Sequence, residues 1–495
     1  MRRLRELITT VFVLLAAAQV TPLLNAAEPT IDTTLTITAM APIVRREGIT
    51  GAGWGLFHRQ SDDPTTDSLL RVIYPNHPDD WGKSGGTGSS YSRDGGRTWT
   101  VDPDNRPLPG MVDMWQDRLS SGELVTFGLR KLVDREQVLA AEPTASLFES
   151  GPYAIGRSQD HGQSWSWSEA MIHSSPEHGV IARPLPHIFE VERGTWLMPA
   201  YSWSRTGHRT LLLRSLDQGR NWSVAGTIAT VAAIRAAGVT VATPWLETAV
   251  TETADGTLLA VMRTASNAQG ALVSARSADH GVTWSNVERV LTGPERRVAA
   301  GKLPNLVRLA NGPLILLTAH SKNHCRLYVS HDGCGRAWSD GLIVTSVSGG
   351  NTSLTMLDEK RISIATPANG RIDAWQVTYE PATDIKPGSV EPPREVRVDS
   401  EKSLVTWQPG ATDVAFHLVR PVLVQTPPEN RETERFAYLP IRTSDATPRI
   451  ELNRVLMYGA SYRIEIVSVT RDGRRSSIAT SAEFVAGVKP AVSMK

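Results

Sequence analysis

One octapeptide recurs five times, and it restricts the chain to a repeat architecture. The first copy is built on Ser92, Asp94, Gly96, Thr98 and Trp99. The same frame returns with Ser158, Asp160, Gly162, Ser164 and Trp165, then with Ser215, Asp217, Gly219, Asn221 and Trp222. It returns again with Ser277, Asp279, Gly281, Thr283 and Trp284. A fifth copy, from Ser330 and Asp332 through Cys334 and Gly335 to Trp338, carries one extra residue. The five aspartates step by 66, 57, 62 and 53 residues. A period near 60 held over four steps marks repeated supersecondary units.

Each position in the octapeptide has a physical use. The Asp carboxylate can accept backbone N–H groups inside a tight turn. The Gly permits a positive φ, and the Trp gives each unit a large apolar anchor. Short β-rich runs flank the copies, so each copy reads as the turn of a hairpin. A spacing of about 60 residues fits one four-stranded propeller blade with its loops. The predicted fold is therefore all-β, a six-bladed β-propeller over 28–380 followed by a small β-sandwich. Five blades carry the octapeptide and a sixth does not. Residues 33–38 are expected to complete the last blade beside 372–377, which removes exposed sheet edges.

The octapeptide resembles the Asp-box, or BNR repeat, of the sialidase superfamily. In that family the boxes are structural and lie away from the active-site face. A linker over 381–393 contains Pro381, Pro387, Pro392 and Pro393. Beyond it, 394–486 alternates like sandwich strands. Its early Trp407 and late Tyr462, followed by Gly473, resemble a fibronectin type III module.

A second, weaker repeat lies between the boxes, centred on Gly122, Gly194, Gly256 and Gly312. Asp113 and Glu247 each stand nine residues before their glycine, and Arg130, Tyr201, Arg263 and His320 stand seven or eight after theirs. Equivalent positions in different blades point to equivalent places around a propeller axis, so these six are candidates for one pocket. Rim salt bridges are the alternative. Sialidases carry a Glu followed fifteen to nineteen residues later by an Arg, and Glu247 and Arg263 match that element. The resemblance implies that the Glu polarises a nucleophile and that the Arg grips a substrate carboxylate, a task suited to its planar fork. Where the family has its third Arg, this chain has Lys322, with Arg326 nearby. No Tyr stands near 351–354, and no Phe/Tyr-Arg-Ile-Pro element occurs near 45–59. Asp79 and Asp80 precede the first box and are candidates for the acid/base.

These residues favour a glycoside hydrolase on an acidic or related glycan. Glu247 with Asp113 or Asp80 supplies two carboxylates, Tyr201 a nucleophile or stacking ring, and Arg263 with Arg130 or Lys322 a grip on an acidic sugar. A non-catalytic glycan-binding propeller is the alternative. So is a polysaccharide lyase in which His320 or Tyr201 abstracts a proton. No ligand cluster calls for a metal or other cofactor.

The formal net charge of +1 argues against a nucleic-acid surface and a polybasic membrane patch. Arg2, Arg3 and Arg5 precede an apolar run over 7–20, and Ala26 and Ala27 follow. This is the pattern of a secretory signal peptide over 1–27, too short to span a membrane. The mature chain is expected to start near Glu28, outside the cytoplasm, with no integral membrane segment. The only two cysteines, Cys325 and Cys334, fall within one hairpin. Outside the cytoplasm such a pair can oxidise, so a disulfide is expected, with two free thiols as the alternative.

Overall fold

The computed structural model describes residues 34–487 apart from 45–55, 60–69, 76–86, 103–112, 130–147, 266–269, 321–323, 347–350, 381–389 and positions 186, 193, 206, 244, 311, 369 and 444. The described chain is nearly all β. Its helical content is the short helix Val231–Ala236 and a 3-10 turn at Pro428–Arg435.

Strands follow one another as four-stranded antiparallel meanders, one per box. The first runs through Leu56–Arg59, Leu70–Pro75, Thr87–Ser92 and Thr100–Val101. The second uses Asp113–Arg118, Leu124–Leu129, Glu149–Ser158 and Ser166–His173. In the third, Val180–Pro184 precedes Thr195–Ser204, Gly207–Ser215 and Asn221–Thr230. The fourth comprises Thr248–Glu252, Leu258–Met262, Val273–Ser277 and Glu288–Arg289. The fifth comprises Lys302–Arg308, Leu314–His320, His324–Ser330 and Leu342–Thr345. A last meander, without a box, comprises Ser353–Met356, Arg361–Ala368 and Arg371–Tyr379. Its fourth strand is the N-terminal Leu35–Ala39, with Ile37 opposite Val377, as the sequence predicts. First strands of successive meanders adjoin. Thr248–Glu252 packs on Lys302–Arg308, which packs on Ser353–Met356, which packs on Leu56–Arg59. This is a propeller-type succession of sheets.

The boxes show why their residues are fixed. Ser158 Oγ donates to Asp160 Oδ1 at 2.8 Å and accepts the Gly162 N–H at 2.8 Å. Asp160 also accepts the Ser164 N–H at 2.8 Å and its hydroxyl at 2.6 Å. The same bonds recur at Asp94 and Asp279, and at Asp217 the Asn221 amide donates in place of the hydroxyl. In the fifth box Ala337 has no hydroxyl, and Asp332 accepts the Cys334 N–H at 2.8 Å. Gly219 sits at φ +86°, and a Cβ there would stand 2.1 Å from Ile155 Cδ1 of the preceding meander. Gly281 meets Leu212 Cδ2 in the same way. The box turn thus lies against the neighbouring sheet as well as closing its own hairpin. The Trp side chains fill the same seams. Trp222 is fully buried among Val125, Phe127 and Ile155 of the second meander and Trp196 and Leu211 of the third. Trp338 lies in the corresponding cluster between the fourth and fifth meanders.

The C-terminal strands form two groups. Arg394–Asp399, Leu404–Gln408 and Arg449–Glu451 make one sheet. Val414–Gln425 pairs with Ser461–Thr470 and Ile441–Arg442 in the other. This second group joins the last meander, because Ile441 lies parallel to Ile37 and the Ile37 N–H donates to Pro440 O at 2.8 Å. Ala437–Tyr438 likewise extends the fifth meander alongside Leu342 and Ile343. Trp407, Tyr462 and Ile464 share one hydrophobic cluster with Leu327, Ile343, Ile364 and Trp375. Arg454 clamps the junction, bonding Asp373 Oδ1 at 2.8 Å and Met40 O at 2.6 Å.

The expected disulfide is not formed. Cys325 and Cys334 are free thiols. Cys325 lies near the start of His324–Ser330, while Cys334 lies in the box turn beyond its other end. An extended strand separates them, whereas a disulfide needs Cα atoms within about 7 Å. Cys325 is fully buried, and burial pushes its thiol up to about 12, so it is chemically quiet.

Candidate functional site

Register divides each meander into two ends. In the fourth, Thr248 pairs with Met262 and Met262 with Val273, while Leu258 pairs with Ser277, where the box begins. Glu247 immediately precedes the first strand and Arg263 immediately follows the second. Both therefore lie at the end remote from the box. The same logic places the start of Asp113–Arg118, the end of Leu314–His320 and the start of His324–Ser330 at the corresponding ends of their sheets.

At this end Glu247 and Arg263 are brought together. Arg263 Nη1 donates to Glu247 Oε2 at 2.5 Å. The side chains retain 10% and 8% of their exposure, so the pair is desolvated. Arg263 Nε donates to Ala265 O at 2.6 Å, and the backbone N–H of Arg263 donates to Glu247 O at 2.9 Å. Glu247 Oε2 also accepts the Leu303 N–H at 3.2 Å. Leu303 belongs to the first strand of the next meander and takes φ +47°, so the carboxylate ties two sheets together. The tie continues to the last meander. Asn305 Nδ2 donates to Leu303 O at 2.8 Å and to Thr352 O at 3.3 Å.

The other candidates divide. His320 is buried in the neighbouring sheet and stacks on His324, with ring centroids 4.1 Å apart. Tyr201 is buried in an apolar cluster with Val180, Leu197 and Trp203. Arg326 is not at the strand end. It is buried beneath the C-terminal segment, its guanidinium 4.0 Å from the centre of the Phe436 ring. It therefore joins the propeller strands to the C-terminal strands. Asp113 opens its strand opposite Leu129. Asp79, Asp80, Arg130 and Lys322 lie outside the described residues.

One residue the sequence reading passed over lies close to Glu247 along the chain. Trp245, two residues before Glu247, is 45% exposed, whereas Leu246 between them is fully buried. A large aromatic left in solvent so near in sequence to a buried ion pair is an available stacking face. Its closeness to Glu247 in sequence was the signal. Among the described residues, no group of three or more His, Cys, Asp or Glu side chains is assembled for a metal. No helix among them is long and apolar enough to cross a membrane. Two cavities of about 300 Å³ lie along the C-terminal strands and not at the Glu247–Arg263 end. Residues 266–269 and 321–323 lie outside the described residues. The buried pair, not cavity size, therefore locates the candidate site.

Residues 144–380 match the family described as a BNR repeat-like domain. Among solved structures, a Penicillium chrysogenum alpha-L-arabinanase is similar at 15% identity, covering 69% of this chain and 98% of that one, with a TM-score of 0.45. A Hadza microbial sialidase is similar at 18% identity, covering 68% of each chain, with a TM-score of 0.45. A Trypanosoma rangeli sialidase is similar at 12% identity, covering 92% of this chain and 90% of that one, also with a TM-score of 0.45. No curated protein matches.

Proposed function

We propose, from the premise that residues 144–380 are a BNR repeat-like domain, that the chain is an exported glycoside hydrolase of a six-bladed propeller acting on an acidic or related glycan. The reaction is assigned to the strand ends that carry Glu247 and Arg263. The observation that carries this reading is the pair itself, a carboxylate and a guanidinium 2.5 Å apart and nine-tenths buried, remote from the boxes. Charged side chains are seldom buried to this degree, and when they are they are paired. Exposed Trp245, two residues before Glu247, supports a carbohydrate, because an aromatic face stacks on the apolar face of a sugar ring.

In this reading Glu247 acts as a base or tunes a nucleophile. Arg263 orients an acidic group on the sugar, and Asp113 or Asp80 supplies the second carboxylate that glycoside hydrolysis commonly needs. The C-terminal strands act as a fibronectin-III-like module, a reading supported by their division into two groups. Export is supported by the charged and apolar N-terminal pattern, with a mature terminus near Glu28.

One observation favours a second reading. Glu247 already accepts the Leu303 N–H, and Arg263 already bonds Ala265 O. A pair so engaged can serve as a strap between sheets in a propeller that binds glycans without turnover. A panel of acidic and neutral oligosaccharides separates the readings. New reducing ends without added ultraviolet absorbance support the hydrolase. Retention without products supports the binding propeller, and unsaturated products point to a lyase.

A further inference from the structure

A cavity of about 300 Å³ opens where the last propeller strand meets the C-terminal strands. Its wall carries Glu380, which follows Arg371–Tyr379, together with Phe416, Arg442, Arg471 and Arg475. The volume is at the small end of ligand pockets, about 300–1,000 Å³. The charge is unbalanced, since three guanidinium groups face one carboxylate.

That carboxylate shows what the cavity can hold. Arg442 Nη1 stands 3.2 Å from Glu380 Oε1, and Arg475 Nη2 stands 3.5 Å from Glu380 Oε2. The two arginines address different oxygens of that carboxylate. Both contacts are longer than the roughly 2.7–2.9 Å of a strong charge-assisted bond. The two forks are thus directed at one side-chain carboxylate. Arg442 is held in place by the ring of Phe416, 3.7 Å from the ring centre to its guanidinium carbon. Burial pushes the Arg442 guanidinium below its ordinary pKa, and Glu380 offsets part of this. A second negative group in the cavity relieves that cost.

Arg471 and Arg475 flank a braced turn. The Gly473 N–H donates to Thr470 O at 3.0 Å with Gly473 at φ +87°. The Arg474 N–H donates to Thr470 Oγ1 at 3.1 Å. Arg474 pairs outward with Asp472 and Asp413, so those acids do not neutralise the cavity. Arg471 is exposed at its edge.

We propose that this cavity is a second saccharide site, which receives the carboxylate of an acidic sugar between Arg442, Arg471 and Arg475. The anionic group follows from the charge and the guanidinium geometry. That it is borne by a saccharide rests on reading the chain as a glycan-acting protein. Single acidic sugars have no glycosidic bond to cleave, so binding is read without turnover.

The test is titration calorimetry with ligand-observed NMR on the full chain, using glucuronate, N-acetylneuraminate, glucose and sodium sulfate as probes. Either acidic sugar should bind the parent while glucose does not. Arg471→Gln, at an exposed position, should weaken that binding about tenfold with an unchanged melting curve. Arg475→Gln, made alongside it, should weaken that binding as well, with a lower melting temperature because Glu380 loses a partner. The proposal is overturned if acidic sugars bind no better than glucose, or if Arg471→Gln binds them as the parent does. Binding of sulfate with no response to either acidic sugar also overturns it, since the cavity would then be an anion site only. If no glycan is turned over or retained at the Glu247 end while Arg471-dependent binding persists, the central-site reading fails and this one stands.

Discussion

Glu247 and Arg263 hold each other where water reaches neither well, and that changes what their substitution does. From sequence alone, Glu247→Gln keeps size and should spare folding. Burial reverses this expectation, because removing one partner strands the other charge in a desolvated setting. Such a change costs about 3–5 kcal/mol, and Glu247→Gln should lower stability by that amount in chemical denaturation. Arg263→Lys should also destabilise, since lysine lacks the separate Nε and Nη1 donors that reach Ala265 O and Glu247 from one planar group. Removing both charges, as in Glu247→Leu with Arg263→Met, should recover much of the loss. Turnover in the double variant then separates the roles. A fall of about 10²–10⁴ at recovered stability marks acid–base chemistry, while full turnover leaves only the strap. The pair was legible in the sequence because both residues keep a constant offset from a turn glycine. Arg326 was a candidate only for its nearness to Lys322, and its partner Phe436 is distant in sequence and could not be foreseen. The two cysteines misled for a related reason. Nearness along a chain becomes distance when the intervening residues are extended.

At the scale of the element, the box is a hairpin turn and a wedge at once. Its hydrogen bonds were readable from residue types, because Ser, Asp and Gly at that spacing have few other ways to satisfy a tight turn. Its contact with the preceding sheet was not readable, since nothing in the octapeptide names Ile155 or Leu212. The two roles predict different costs. Asp160→Ala should cost about 1–3 kcal/mol, because it removes three hydrogen bonds to a charged but partly solvated carboxylate. Trp222→Ala should cost about 3–5 kcal/mol, because it opens a seam between two sheets. Denaturant titrations of both variants check the order, and equal losses would contradict the wedge. The boxes also set the acid limit. Bonds from Thr98 and Ser92 hold Asp94 at about 2, and bonds from Thr283 and Ser277 hold Asp279 at about 2, against an ordinary 3.8. Their folded values are depressed, so their stabilisation is complete above about pH 4 and is lost as pH falls towards 2. Melting temperature should drop through that window, and Asp94→Asn with Asp279→Asn should flatten the drop. A parent whose melting temperature is unchanged from pH 5 to pH 2 would refute this.

For the whole molecule, the C-terminal strands complete the propeller's last sheets instead of hanging from a tether. The proline-rich 381–393 suggested separation, and a proline-rich composition is silent about what packs beyond it. Two-residue pairings such as Ala437–Tyr438 against Leu342–Ile343 leave too little pattern to detect in sequence. Buried Ile343, Trp375, Tyr438 and Tyr462 lie in one cluster. A chain ending at residue 380 should therefore expose apolar surface, aggregate on expression and bind a hydrophobic dye. A soluble truncated chain with the parent melting temperature would count against that coupling.

The strand Leu35–Ala39 has a further consequence for how the protein is made. It is synthesised about 330 residues ahead of its partner, Arg371–Tyr379. At about 5–20 residues per second, that lead is roughly 20–70 s for the intervening chain. Through all of it the growing protein presents an unpaired β edge at both ends of an open arc of sheets. Assembly must therefore be late and slow, as expected for contacts so far apart in sequence. Whatever escorts the nascent chain has to protect both strand edges until they meet.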